Sequence, residues 1–439
     1  MKFKTHAGKS AGLLSVALTV ALALALSGCQ SSKGAASGQA EGSAVASPPP
    51  TMSASPSPDA PESPTGAPAD GNGGAAATPA PSAGGQSAGS APQTEPISAQ
   101  APAAYMGQVT ALRLADAKTG WVGGKGWIAR TDDGGAHWKV QYSQGSSEVR
   151  QLFALNSQKV WATVDNGGAA GLTLIRSTDG GAHWSKAGTV PNESFLHFTS
   201  DTTAFSGNAM TTDGGKSWTK LAVPANTVGD VYFHDAGNGW AVQKGDGKFR
   251  FLHSSDAGKT WKTVFTRASE AEVNGAVIRS TGKGDAWIEL IGDSGMSQTS
   301  YSLFHTTDGG QSWLPAVARN GAGSGPAPGF TMDDQPFPAN TASAPGDLYV
   351  VNPQTVFMGG QCRACDNPNT VMESTDGGKS WAVRQQQFAG SGPQFIAATD
   401  ARHVWLITTE NEASPVLYTS ADGGVHWSKI HTFEKAKPE

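Results

Sequence analysis

"RSTDGGAHWSK", Arg176–Lys186, gathers an acid, two glycines, a histidine and a tryptophan into eleven residues. Such a stretch can be a metal loop, a catalytic loop or a tight turn. Its recurrence narrows the choice. The same pattern stands at "TDDGGAHW" (Thr131–Trp138), "STDGGAHW" (Ser177–Trp184), "TTDGGKSW" (Thr211–Trp218) and "SSDAGKTW" (Ser254–Trp261). It returns at "TTDGGQSW" (Thr306–Trp313), "STDGGKSW" (Ser374–Trp381) and "SADGGVHW" (Ser420–Trp427). Every copy keeps its Asp (133, 179, 213, 256, 308, 376, 422) and its Trp (138, 184, 218, 261, 313, 381, 427). The spacing runs from 34 residues between Asp179 and Asp213 to 68 between Asp308 and Asp376. Self-similarity at this period marks a solenoid, a propeller or an array.

The residues between the boxes are strand-like. In the second repeat "VRQLFAL", "VWATV" and "LTLIRS" are short β-branched or aromatic runs separated by Asn, Asp and Gly turns, the pattern of an antiparallel meander. The second strand carries an aromatic in each repeat: Trp121, Trp161, Phe205, Trp240, Trp287, Phe357 and Trp405. Four-stranded units of this size cannot bury their faces alone, and a closed ring lets each cover its neighbour. The expectation is an all-β, seven-bladed β-propeller over 105–435. Within the box, Ser/Thr and Asp can bond the turn's own N–H groups, and glycine supplies positive φ. An EF-hand-type loop needs further oxygen ligands and a late Glu, which are missing. The box therefore reads as a structural turn, with no metal and no cofactor expected.

The boxes resemble the Asp-box, or bacterial neuraminidase repeat. That repeat is shared by sialidases, some glucanases, sortilin-type receptors and the photosystem II stability/assembly factor family. The "GW" second strand and "TTDGG" box most resemble the assembly-factor group. The resemblance implies a propeller and, for that group, a non-catalytic protein-binding or assembly scaffold. The alternative it carries is a secreted glycan-acting hydrolase. A sialidase site would need three Arg, a Tyr–Glu pair and an acid. Arg113 and Arg150 lie on inner strands and Arg279 near one; Tyr232 and Tyr349 lie on others, and Glu289 sits deep in a blade. No "RIP" motif opens the first repeat, so an enzyme is not expected.

Residues 1–28 read as an export signal. Lys2, Lys4 and Lys9 precede the apolar run Ala11–Leu26, which is short for a membrane span. "LSGC", Leu26–Cys29, resembles the lipobox of bacterial lipoproteins, which implies lipidation of Cys29 and attachment to a membrane outside the cytoplasm. Residues 29–104 are mostly Ala, Ser, Pro, Gly and Thr, a disordered tether with a reach on the order of 40–50 Å. Net charge is -5, with no basic stripe for nucleic acid. The domain is expected to be monomeric, with a protein partner.

Two further features complete the reading. Cys362 and Cys365, in "QCRACDN", read as a local disulfide, with redox or metal chemistry as the alternative. The long insertions, led by Asn320–Gly346, fall opposite the boxes, on the face expected to meet a partner. That insertion has no strand pattern, so removing it is expected to leave the propeller folded.

Overall fold

The computed structural model describes residues 96–97 and 105–435, except 169–170, 322, 335, 363, 367 and 411–412. The segment read as an export signal, Cys29 and nearly all of the segment read as a tether lie outside the described residues. Every described element is a β-strand.

The strands form six antiparallel sheets. Five are four-stranded, and the first has seven strands. Counted by hydrogen-bonded sheets, this is a six-bladed propeller, which corrects the expectation of seven blades. The cause is the single strand Lys139–Ala154. Its first half pairs with Gly120–Thr131 and its second half with Val160–Asp165. Instead of turning between the first two repeats, "SQGSSE" bulges at a register shift: Ser143 lies opposite Trp127, Glu148 lies opposite Lys125, and the strand continues between them. The outer strand of the first repeat thus runs on as the inner strand of the second. Pro96–Ile97, from the segment read as tether, adds an edge strand against Trp184–Val190.

The inner strands stand around a channel. Val109–Leu114, the end of Lys139–Ala154, Leu196–Phe198, Tyr232–Asp235, Gly275–Gly282, Ala344–Val350 and Gln394–Ala398 follow one another, and the last returns to the first. The chain ends are joined by hydrogen bonds. The Met106 N–H donates to Glu434 Oε2 (2.9 Å), and the Glu434 N–H donates to the Met106 carbonyl (3.3 Å). Buried Trp127, the one tryptophan outside the periodic pattern, donates to the Gly107 carbonyl at 2.8 Å.

Each box closes on itself in one way. At Asp308, the Thr306 hydroxyl donates to Oδ1 (2.8 Å) and accepts the Gly310 N–H (3.1 Å). Oδ1 also accepts the Ser312 N–H (2.9 Å), and Oδ2 accepts the Ser312 hydroxyl (2.6 Å). These bonds hold the carboxyl down at about 2. A histidine replaces Ser312 at the equivalent position of three boxes, where His137, His183 and His426 bond Oδ2 through Nδ1.

The box tryptophan covers the second-strand aromatic of the preceding repeat. Trp313 meets Trp240 at 5.8 Å and Trp381 meets Trp287 at 6.3 Å, both edge-on. Trp184 shares a cluster with Trp121, Trp218 with Trp161, Trp261 with Phe205, and Trp427 with Phe357. Except for Trp184, the box indoles are only half-buried, whereas the second-strand aromatics are fully enclosed. The second-strand ring is the core, and the box ring is its lid.

The long insertion departs from its expected place as a free rim loop. Ala327, Phe330, Asn340 and Ala342 are buried. Phe330 joins the core of Trp240, Phe249 and Phe304, and the Arg267 guanidinium lies 4.6 Å over its ring. Ser302 donates to the Pro328 carbonyl at 2.8 Å.

Candidate functional site: a polarised channel

One register position builds the channel wall. The inner-strand residue paired with each second-strand aromatic is, in turn, Arg113, Phe153, His197, Tyr232, Arg279, Tyr349 and Ala397. The first six line a cavity of about 470 Å³ at the end of the channel carrying Ala115, Thr281, Val351 and Thr399. These residues adjoin the turns between first and second strands, so this mouth opens on the box face. A second cavity of about 460 Å³ opens on the long-loop face and is lined by Thr110, Arg150, Glu193 and Asp230. Leu112, Leu152, Phe195, Tyr232, Arg279 and Asp347 border both and form the waist.

The two mouths differ in charge. On the box side Arg113 stacks over Phe153 (4.5 Å), and at the waist Arg279 stacks over Phe195 (4.2 Å). The Arg113 side chain makes no hydrogen bond among the described residues, and its Nε is buried. Among the described residues the Arg279 side chain donates only to the Ile278 carbonyl, at 2.9 Å. Neither forms an ion pair among the described residues. His197 lies against His234, ring centroids 4.8 Å apart. Burial, aided by the charges of His234 and Arg113, pushes His197 down to about 3, so this imidazole is neutral. His234 Nδ1 and the Tyr232 hydroxyl both bond the Ser280 carbonyl, at 3.0 and 3.2 Å.

On the loop side, Arg150 is already paired, with Glu148 (2.9 Å) and Asp165 (2.8 Å), and Glu193 and Asp230 line the same mouth. At the waist Asp347 Oδ2 accepts the Ile396 N–H at 2.9 Å. Burial raises the Asp347 carboxyl, while that bond and Arg279 lower it. Glu289 is enclosed behind the wall, and its Oε1 lacks a hydrogen-bond partner. Burial pushes Glu289 up to about 8, so it is protonated at neutral pH and leaves Arg279 uncompensated from that side.

The residues named for a sialidase site are thus on the channel, except Glu289, but they do not meet at one point. Arg150 opens on one mouth and Arg113 on the other. The residues missed from sequence are Phe195, His197, His234 and Asp347. Aligning the repeats on their second-strand aromatics would have found His197, because it occupies the register slot of Arg113. Cys362 and Cys365 are joined in a disulfide, away from either cavity lining. Among the described residues no group of His, Cys, Asp and Glu is arranged to hold a metal.

Neither a family model nor a curated protein matches the chain. Solved structures similar to it include YCF48 bound to D1 peptide, at 15% identity and TM-score 0.44, covering 73% of this chain and 92% of that one. Prolyl oligopeptidase B from Galerina marginata is similar at 10% identity and TM-score 0.45, over 75% of this chain and 52% of that enzyme. SapL1 lectin in complex with alpha methyl fucoside is similar at 10% identity and TM-score 0.37, over 75% and 97%.

Proposed function

We propose that this protein is a non-catalytic scaffold that takes an acidic element of a partner protein into the box-side mouth of its channel. A lipid on Cys29 and the tether after it would hold the domain at a membrane outside the cytoplasm. The observation that carries the reading is the pair Arg113 and Arg279. Both guanidiniums lie over phenyl rings, and among the described residues neither is in an ion pair, the Asp347 carboxyl acting on Arg279 only through space. Each fork lines the open channel, and a carboxylate entering between the two would give both a charge-assisted partner. Stacking fixes each fork in place, so little ordering entropy remains to be lost on binding. On this reading the partner meets the box face, not the long-loop face expected from sequence.

Hydrolysis fits the geometry less well. The Arg150 guanidinium is spent on Glu148 and Asp165, and Glu289 has no path to the channel. The test is affinity capture from membranes of the source organism with the intact domain and with Arg113→Gln/Arg279→Gln. The partner should be held by the first and lost from the second. Equal capture by both would remove the channel from the interaction. The anchor is tested separately, since Cys29→Ser should release the protein from membranes.

A further inference from the structure

We propose that the Cys362–Cys365 disulfide is an exchange-active bond that oxidises thiols of a protein docking on the long-loop face, rather than a staple of the fold. Three observations carry this.

The bond holds together nothing that is not already held. Val356–Gln361 and Asn369–Ser374 pair without a break from Val356↔Ser374 to Gln361↔Asn369. The next rung is closed by the Cys362 N–H donating to the Pro368 carbonyl (2.8 Å). The Cys365 N–H donates to the Cys362 carbonyl at 3.1 Å, which already brings the two residues into one turn. Asn369 is further pinned by reciprocal backbone bonds with Phe388 (3.0 and 2.8 Å). A covalent ring spanning a sequence separation of 3 removes little entropy from the unfolded chain. Opening it therefore leaves the hairpin formed.

The bond is also within reach. It sits at a hairpin tip, where Cys365 is exposed and Cys362 half-buried. No other cysteine occurs among the described residues, so an opened pair has no neighbouring thiol in the described part of the domain with which to reshuffle.

Its position is the third point. The tip joins the second and third strands of its sheet, on the face where the mouth lined by Arg150, Glu193 and Asp230 opens. This inference is independent of the acidic ligand proposed for the other mouth.

The step is ordinary thiol–disulfide exchange. A thiolate of the partner attacks Sγ of Cys365, the more exposed residue of the pair. The new sulfur–sulfur bond forms as the Cys362–Cys365 bond breaks, and Cys362 leaves as a thiolate that takes a proton from water. The second thiol of the partner then attacks the partner sulfur of the mixed disulfide and expels Cys365 as a thiolate. The partner dithiol loses two electrons to become a disulfide, and the Cys362–Cys365 pair gains them.

The experiment uses the folded protein, with tryptophan fluorescence as the monitor of native structure. It is incubated in reduced glutathione buffers, quenched by alkylation and weighed. Both cysteines should become alkylated while the fluorescence stays native. In parallel, Cys362→Ser and Cys365→Ser are exposed to oxidised glutathione. The thiol left at Cys365 should take up glutathione about tenfold faster than the thiol left at Cys362. A bond that resists glutathione until the domain unfolds would overturn the proposal. So would equal uptake by the two variants.

Discussion

The indole of Trp138 stands edge-on to that of Trp405, ring centroids 6.3 Å apart and planes at 82°. The first residue belongs to the first box and the second to the last inner hairpin. This contact continues between the chain ends the same relay that joins neighbouring repeats elsewhere, and Phe433 packs on both Trp138 (5.7 Å) and Trp127 (6.1 Å). The ring is sealed by side chains, with one main-chain pairing at Met106 and Glu434.

Trp405→Ala should therefore cost about 3–5 kcal/mol, since this ring is fully enclosed at the seam. Trp138→Ala, which removes a half-buried lid, should cost less, about 2 kcal/mol. Urea unfolding of both variants gives the comparison. The reverse order would show that the lid and not the core seals the ring.

Insertion 321–341 cannot be removed without loss. Phe330 is inserted among Trp240, Phe249 and Phe304, and Ala327 is buried beside it. Phe330→Ala should cost about 3–5 kcal/mol, and the full deletion should give a lower melting temperature than that single change. A deletion variant with native stability would return the segment to the status of a rim loop.

The fourth box lacks the first of the two glycines that the others carry. Ala257 takes φ +58°, a left-handed conformation that glycine holds in the other boxes. Ala257→Gly should stabilise the domain by about 0.5–1 kcal/mol, strain relief being partly offset by chain entropy. Gly258→Ala should be strongly destabilising, because an added Cβ would stand 2.6 Å from the Ala222 carbonyl oxygen. Thermal melts of the two variants should move in opposite directions.

Two groups of acids oppose each other in their pH dependence. In the boxes, the hydroxyls and N–H groups of Ser312 and Ser380 hold Asp308 and Asp376 at about 2. The unfolded carboxyl sits near about 3.9. Below that value the unfolded chain binds more protons, so the box contribution is complete above it and is lost as pH falls through about 2. Glu289 acts the other way. Burial raises it to about 8, so between about 4.3 and that value the folded state binds the extra proton, and stability declines as pH rises. Glu289→Gln should raise the melting temperature at pH ~9 and change it little at pH ~5, since only the ionised carboxylate is penalised by burial. Calorimetry across that range measures both; an offset that does not vary with pH would show that Glu289 is not held protonated by its surroundings.

What could be read from sequence follows the range of each interaction. The box was legible because its hydrogen bonds close within eight residues, so Thr306, Asp308, Gly310 and Ser312 carry the whole motif. The aromatic of the second strand was legible through its period. The partnership of Trp138 with Trp405 was not, because nothing local links residues so far apart in the chain. The sheet count was misread at "SQGSSE", where Gly145 and its polar neighbours look like a turn yet form a bulge, beyond which the pairing with Gly120–Thr131 resumes at Glu148. The insertion was misread because Gly- and Pro-rich sequence has no period, while Phe330 is buried by tertiary packing. The channel was half visible. Arg113, Arg279 and Tyr232 were named, but their shared wall appears only when each repeat is aligned on its second-strand aromatic.

The most direct test of the binding role is a calorimetric titration of the folded domain with a short glutamate-rich peptide. The same peptide with glutamine in place of glutamate, and an amidated end, is the control. The acidic peptide should bind the native domain and weaken at least ~tenfold with Arg113→Gln/Arg279→Gln, a loss of about 1.4 kcal/mol or more. The neutral peptide should not bind, and raised salt should weaken the acidic one. Equal affinity of the native and doubly substituted domains for the acidic peptide, or equal affinity of the native domain for both peptides, would contradict the assignment of the channel as an acid-binding site.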